Sequence, residues 1–269
     1  MAFEQELLKE DKDIKNNTSV RSLERALDLL EFLEKKGTPS GVRAIESETG
    51  IPKATAQRLL NVLETRGFVH KQNGKYMLWI SSVRLAKSFL RDHGLISTAR
   101  PYLKALTMIS DENASLYIQQ GYYRILVERI ESPNPLRFQT QLGERLPLYL
   151  GASGQVLCSR MPRDELNEYF SKIEPVPLAN GKLLYKKDLI ERVDIARNQG
   201  YAIGVDERFK EVTSVAVSID TKDPKILAAI NIAGPSYRLP EVKLSNITME
   251  ILGAAKELSD VYQRNFLYH

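Results

Sequence analysis

The stretch from Pro52 to Arg66 constrains this chain most, because one apolar face, one polar face and a hairpin signal follow one another without interruption. At about 100° per residue, Ala56, Leu59, Leu60 and Leu63 fall on one stripe of a helix, with Ala54, Gln57, Arg58 and Asn61 opposite. Pro52 suits the first turn, where its missing N–H costs nothing. Gly67 stops the helix. Phe68 to Lys71 and Lys75 to Leu78 then read as two short strands, and Asn73-Gly74 between them favours the left-handed turn of a tight hairpin. Upstream, Val20, Leu23, Leu27, Leu30 and Leu33 recur at helical steps until Gly37 and Pro39. Ser40 is the expected N-cap of a short helix that runs to Thr49, with Gly50 closing it in a left-handed turn. Three helices and a hairpin over residues 18–80, with a short second helix before a polar-faced third, predict a winged helix-turn-helix.

Charge supports a partner for that domain. The 269 residues carry a net charge of +4. Residues 51–91 hold 8 basic groups against Glu64 alone, whereas residues 92–269 hold 22 basic and 22 acidic groups. Such a local excess points to a polyanion, and on charge alone a solvated basic face fits equally well. A helix in the major groove reads base edges through a few outward side chains. Arg58 suits guanine O6 and N7, Gln57 or Asn61 suits adenine, and the Ala54 methyl suits that of thymine. Lys53 and Thr55 stand at the helix start, where phosphate is held, and Arg43, Lys71 and Lys75 extend the footprint. The competing reading is a surface helix that touches only water. Hairpin and charge together favour double-stranded DNA.

Residues 1–17 are polar, with 3 basic and 5 acidic groups, and are expected to form a mobile arm. Residues 81–93 read as a linker helix carrying Val83, Leu85, Ala86, Phe89 and Leu90. Beyond it, residues 94–269 mix the two periodicities. Helices are predicted over Pro101–Ser110, Gly151–Arg160, Pro162–Phe170 and Lys186–Asn198, with a last one through Leu244, Ile247, Ile251, Ala255, Leu258 and Val261. Strands are predicted over Ala114–Gln119, Arg124–Glu131, Leu136–Gln141, Thr213–Asp220 and Lys225–Ala233. The pattern is that of an α+β domain.

Other function classes find little support. One cysteine, Cys158, and three histidines, His70, His93 and His269, supply neither a disulfide framework nor ligand spacing for a metal. Gly151-Ala152-Ser153-Gly154 departs from the nucleophile elbow, because its second glycine comes one residue early. Cys158 lies in an apolar helical run, the setting of a packing residue. No catalysis, cofactor or metal is expected. The glycine-bearing helix start at Gly151 reads either as an anion site or as a turn that lets elements pack closely. No apolar run approaches about 18 residues, and no signal-peptide core opens the chain, so a cytoplasmic location without membrane contact is expected. A ligand-sensing or interaction module, whose winged helix serves dimerisation, is the alternative to a DNA-binding regulator.

The segments SVRSLERALDLLEFLEK and GIPKATAQRLLNVLETRGFVHKQNGKYMLW resemble the DNA-binding half of the IclR family of bacterial transcription regulators. ARPYLKAL, RIESPNPLRF, GERLPLYLGASGQVL, GYAIGVDE and LAAINIAGPSYRL continue the likeness in the family's order, over about residues 19–262. The resemblance implies a winged helix, a linker helix and a GAF-like domain that binds a small-molecule effector. It also implies dimers, or dimers of dimers, on palindromic operators. Repression and activation are equally compatible with it, as is a contact with RNA polymerase. Carried over, the effector-binding residues are Phe138, Leu146, Ala152, Ser153, Gly204, Ser214, Asn231 and Ala233. Gly204 stands where Asp is common, Ser214 where a Cys occurs, and Asn231 with Ala233 replaces a Ser-x-Ser pair. The reading helix departs too, with Ala54-Thr55-Ala56-Gln57-Arg58 where Ser-Thr and an aromatic or His usually precede Arg-Leu-Leu. The implied effector is a small organic acid, with aromatic and sugar-derived acids as variants.

Overall fold

The structure, a computed structural model, describes residues 20–92, 94–134 and 140–266. The arm expected over 1–17, Phe138, His93 and His269 lie outside these residues, as does most of the strand expected over 136–141; Thr140 and Gln141 belong to no strand. The chain divides into two compact units that part after Asp92.

The first unit begins with α1 (Arg21–Lys36), which Gly37 closes at φ 61°. β1 (Ser40–Gly41), α2 (Val42–Thr49) and α3 (Lys53–Thr65) follow, then β2 (Val69–Gln72), β3 (Lys75–Leu78) and α4 (Ile80–Asp92). The strands form a small sheet in the order β1-β3-β2. Asn73 at φ 52° and Gly74 at φ 75° make the hairpin turn with two left-handed residues, as the Asn-Gly pair demands. Leu29, Leu33, Ile45, Ile51, Ala56, Leu60, Leu63, Val69 and Tyr76 form one core. Each large aliphatic side chain buried there stabilises the unit by about 1.5–3 kcal/mol in transfer terms. The core holds α3 through its apolar stripe and thereby turns the polar stripe outward.

The expected capping role of Ser40 is corrected. Ser40 pairs with Tyr76 across the sheet, its hydroxyl bonds the Thr38 carbonyl, and Gly41 takes the position before α2. Pairing satisfies the buried Ser40 backbone on a strand that lacked a neighbour, and this outweighs a cap on a short helix.

In the second unit, α5 (Gly94–Ser110) begins seven residues before the expected start and carries Pro101 inside it. The lost backbone hydrogen bond is tolerated because Leu95, Ile96, Ala99, Leu103 and Leu106 are buried along both halves of the helix. β4 (Asn113–Gln120), β5 (Tyr123–Ile130), β6 (Arg145–Pro147), α6 (Ala152–Cys158), α7 (Arg163–Ser171), β7 (Val176–Pro177), β8 (Leu183–Leu184) and α8 (Lys186–Gln199) come next. β9 (Tyr201–Val205), β10 (Val212–Ile219), β11 (Ala228–Pro235), a turn of 3-10 helix and α9 (Glu241–Phe266) complete the unit. Six strands make one antiparallel sheet in the order β6-β5-β4-β11-β10-β9, and β7 pairs with β8 alone.

The register of this sheet builds the site. Arg129, Ser115, Asn231, Ala216 and Ala202 are successive partners across five strands. Asn113, Ala233, Ser214 and Gly204 form a second row two residues away. Partners in register share a face, and so do residues two apart, so a row of small and polar groups lies on one side of the sheet. Ala114, Leu116, Val215, Val217, Ile230 and Ile232 point the other way and are buried. α5 and α9 pack on each other and on the sheet, whereas α6 packs against β9, β10 and β11.

Candidate functional site

Two sets of residues stand out, one in each unit. On α3, Lys53, Ala54, Arg58 and Asn61 are exposed, while Thr55 and Gln57 are half-buried. Arg43 on α2, Lys71 on β2 and Lys75 on β3 are exposed as well. Two of these groups are more committed than their sequence suggests. Gln57 Nε2 donates to Asn61 Oδ1 at 2.8 Å and to the hydroxyl of buried Tyr76 at 2.7 Å. Both amide hydrogens are therefore engaged, and the pair turns an acceptor on Gln57 and a donor on Asn61 outward. The Lys53 backbone N–H donates to Glu46 Oε1 at 2.7 Å, so a protein carboxylate from α2 already caps the start of α3. The wing is stiffened by the Lys71 ammonium 5.4 Å from the Tyr76 ring centre and by His70 stacked on Trp79 at 4.5 Å.

In the second unit, Leu146, Ala152, Ser153, Gly204, Ser214, Asn231 and Ala233 line one cavity. These residues come from β6, α6, β9, β10 and β11; the paired rows described above bring Gly204, Ser214, Asn231 and Ala233 together, and α6 packs against those strands. Phe138, the eighth residue of that set, lies outside the described residues. The cavity offers about 80 Å³ to the centres of water-sized contents. A single water needs roughly 10–15 Å³ on that measure, so several waters or one small organic molecule fit.

The sequence reading missed the charged part of the lining. Arg124, Arg129, Glu207 and Arg208 all face this cavity. Glu207 is buried and fully used: it accepts from the Gly151 backbone N–H at 2.6 Å, Gln155 Nε2 at 2.8 Å and Arg192 Nη1 at 2.9 Å. Arg208 pairs with Glu144, and Arg129 reaches Ser115 Oγ at 3.2 Å and the Thr140 carbonyl at 2.6 Å. Arg124 differs. It is only 4% exposed, its Nη1 donates to the Pro147 carbonyl, and its Nε has no acceptor among the described residues. Burial pulls its pKa below the ordinary guanidinium value, and neighbouring Arg208 acts in the same direction.

The glycine turn at the start of α6 is thereby explained. A methyl group on Gly151 would stand 3.0 Å from Arg124 Nη2, and one on Gly154 would stand 2.1 Å from the Leu148 carbonyl oxygen. Gly151 also adopts φ 83°, a backbone that side chains disfavour. Close packing accounts for both glycines. The Gly151 N–H is taken by Glu207.

Both units match known families. Residues 22–73 match the model of the IclR helix-turn-helix domain, and residues 87–260 match that of the bacterial transcriptional regulator IclR C-terminal domain. Among curated relatives, the HTH-type transcriptional regulator KipR of Bacillus subtilis is 28% identical over 246 residues, covering 91% of this chain and 96% of the relative. The HTH-type transcriptional repressor AllR of Salmonella typhi is also 28% identical, with 89% of each chain covered. Among solved structures, a putative IclR transcriptional regulator from Silicibacter superposes with a TM-score of 0.79 at 22% identity, covering 90% of this chain and 96% of that one. An IclR homolog from Microbacterium hydrocarbonoxydans, complexed with 4-hydroxybenzoate, superposes with a TM-score of 0.75 at 19% identity, covering 91% and 100%.

Proposed function

The chain belongs to the IclR family of bacterial transcriptional regulators, and from that membership we propose that α3 reads an operator whose affinity is set by a small organic acid in the cavity of the second unit. The observation that carries the second half is the lining itself: three arginines, and one carboxylate already bonded to Arg192 and to two N–H donors. Such a lining attracts an anion small enough for the cavity. In the solved relative from Microbacterium, the bound molecule is 4-hydroxybenzoate, itself an acid.

In the first unit, Arg58 reads guanine, Asn61 and Gln57 read a neighbouring pair with the donor and acceptor left to them, and Ala54 meets a thymine methyl. Arg43, Lys53, Thr55, Lys71 and Lys75 hold phosphates and fix the register. The operator is palindromic and the protein binds it as a homodimer, or as a dimer of dimers. Support for a second copy comes from apolar groups left exposed on α1 (Leu23 and Leu27) and α4 (Ile80, Val83 and Leu85). Effector binding shifts the preferred geometry of the two α3 helices across the dimer, which changes their fit to half-sites spaced by the DNA turn. Repression and activation both work this way, and an activator adds a contact with RNA polymerase.

The regulator acts without catalysis, in the cytoplasm. Its one cysteine is buried, and burial pushes the Cys158 thiol up to about 12, far from a nucleophile's range. No described helix is long and apolar enough to cross a membrane. A ligand screen by thermal shift, followed by DNA-binding isotherms with and without each hit, tests the coupling. A stabilising acid is expected to change operator affinity several-fold. A hit that stabilises the protein yet leaves operator affinity untouched contradicts the coupling.

A further inference from the structure

We propose that Arg208 and Glu144 form a latch across the mouth of the second unit's cavity, which must part before a small molecule enters or leaves. The latch controls access to the cavity read above as the effector site, but its test uses no effector, so the two readings fail separately. β6 and β9 are the two edge strands of the six-stranded sheet. Residues from both edges nevertheless line the same cavity: Leu146 on β6 and Gly204 on β9, with Thr140 ahead of β6 and Arg208 behind β9. The sheet therefore curls until its edges face each other over that space. Side chains bridge the gap, since Arg208 pairs with Glu144, the residue before β6, and Arg208 Nη1 lies 3.4 Å from Thr140 Oγ1.

Glu144 is the fixed catch and Arg208 the moving arm. Glu144 Oε2 accepts the Gln141 N–H at 2.9 Å, and its carbonyl accepts the Leu126 N–H at 3.3 Å. The loop that carries Arg208 is tied at its base, which leaves motion to its tip. Asp206 donates its N–H to the Val212 carbonyl at 2.9 Å and accepts the Glu211 N–H on Oδ1 at 2.6 Å, while Glu207 is held by Gly151, Gln155 and Arg192. Arg208, Phe209 and Lys210 remain as the tip, with the Arg208 guanidinium 4.8 Å from the Phe209 ring centre. The latched side chains are 31% and 30% exposed. A pair so accessible to water is weak and is screened by salt, so it opens without disturbing the core. Arg208 lines the cavity and Glu144 does not, so loss of Glu144 alters passage and leaves the interior as it is. The latch thus sets how fast occupants exchange.

The test uses the full chain with a reporter thiol, S214C, on β10 inside the cavity, and a small neutral reagent, methyl methanethiosulfonate. Cys158 is buried, so wild type supplies the blank. Mass spectrometry follows modification of S214C, S214C/E144Q and S214C/R208Q, with thermal melts to establish folding. Both added substitutions are expected to speed modification by at least about threefold. Charge effects on the thiol itself differ in sign, because loss of Glu144 favours the thiolate and loss of Arg208 disfavours it. A common acceleration therefore reports an opened latch. Less than threefold in either variant, or changes of opposite sign, overturns the inference and leaves the effector reading standing. In S214C alone, raising sodium chloride to about 1 M is expected to accelerate modification by a similar factor. This arm decides the matter where a variant fails to fold, and a smaller or absent acceleration there overturns the latch.

Discussion

Alanine in place of Gly154 sets two opposing effects against each other, and the structure says which wins. Gly154 lies within α6, where alanine is the better helix former by about 1 kcal/mol. Against this, the added Cβ would stand 2.1 Å from the Leu148 carbonyl oxygen, 2.8 Å from its carbon and 2.9 Å from Arg124 Nη1. An ordinary contact needs more than 3 Å, so backbone must move by about 1 Å. The Leu148 backbone resists, since its N–H bonds the Tyr122 carbonyl and its oxygen accepts from Cys158 Sγ. Overpacking of this kind costs about 1–3 kcal/mol, and backbone as the obstacle places it at the upper end. G154A is expected to lose about 1–2 kcal/mol net, or roughly 2–8 °C of Tm for a unit of this size.

Gly253 is the control. It lies in α9 with no atom within 4 Å of its would-be Cβ, so propensity acts alone and G253A should gain up to about 1 kcal/mol. Calorimetry of the two variants reads both signs. G154A should also lose its response to an acid, because Ala152 and Ser153 move with it, while its operator affinity without ligand is kept. A G154A protein as stable as G253A would refute the packing described for the glycine turn.

Three further outcomes are expected. Y76F removes one acceptor of Gln57 Nε2, which should cost about 1 kcal/mol and change base preference at one operator position, read by binding-site selection. K75A should weaken binding to all duplexes alike and lower the slope of log K against log salt by about 0.9, measured by titration at four salt concentrations. Cys158 provides an alkaline marker. Its folded pKa is raised from 9.0 to about 12, so its stabilisation is complete below pH 9 and is lost as the pH climbs toward 12. C158A should flatten that decline by at most about 1.4 kcal/mol per pH unit in denaturant melts between pH 8.5 and 11.

What the sequence disclosed and what it hid follow from range. The apolar stripe of α3 and the Asn73-Gly74 turn are local devices, and each stands where its pattern put it. Seven of the residues carried over from the family line a single cavity: the rows of β11, β10 and β9 set Gly204, Ser214, Asn231 and Ala233 side by side, and β6 and α6 bring Leu146, Ala152 and Ser153 to them. Arg124 escaped notice since RILVERI reads as an alternating strand, and nothing local says that an arginine there is buried. A shift of register between Leu116 and Tyr117 places Leu126 opposite Tyr117, a detail invisible in either strand alone. The Glu207 bond to Gly151 spans 56 residues, and the Gln57 bond to Tyr76 joins a helix to a wing. Ser40 and Pro101 erred for a related reason: sheet pairing and burial overrode a cap preference and a helix breaker.

The most direct measurement is selection of duplexes by the full chain from a random pool, followed by affinities for the selected site and a scrambled one at fixed salt. Wild type should enrich a palindrome and bind it at least about a thousandfold more tightly than the scrambled duplex. R58A should lose tenfold or more of that ratio while keeping its affinity for scrambled DNA within a few-fold. A pool with no enriched sequence, or an R58A protein that discriminates as well as wild type, would contradict α3 as the reading helix.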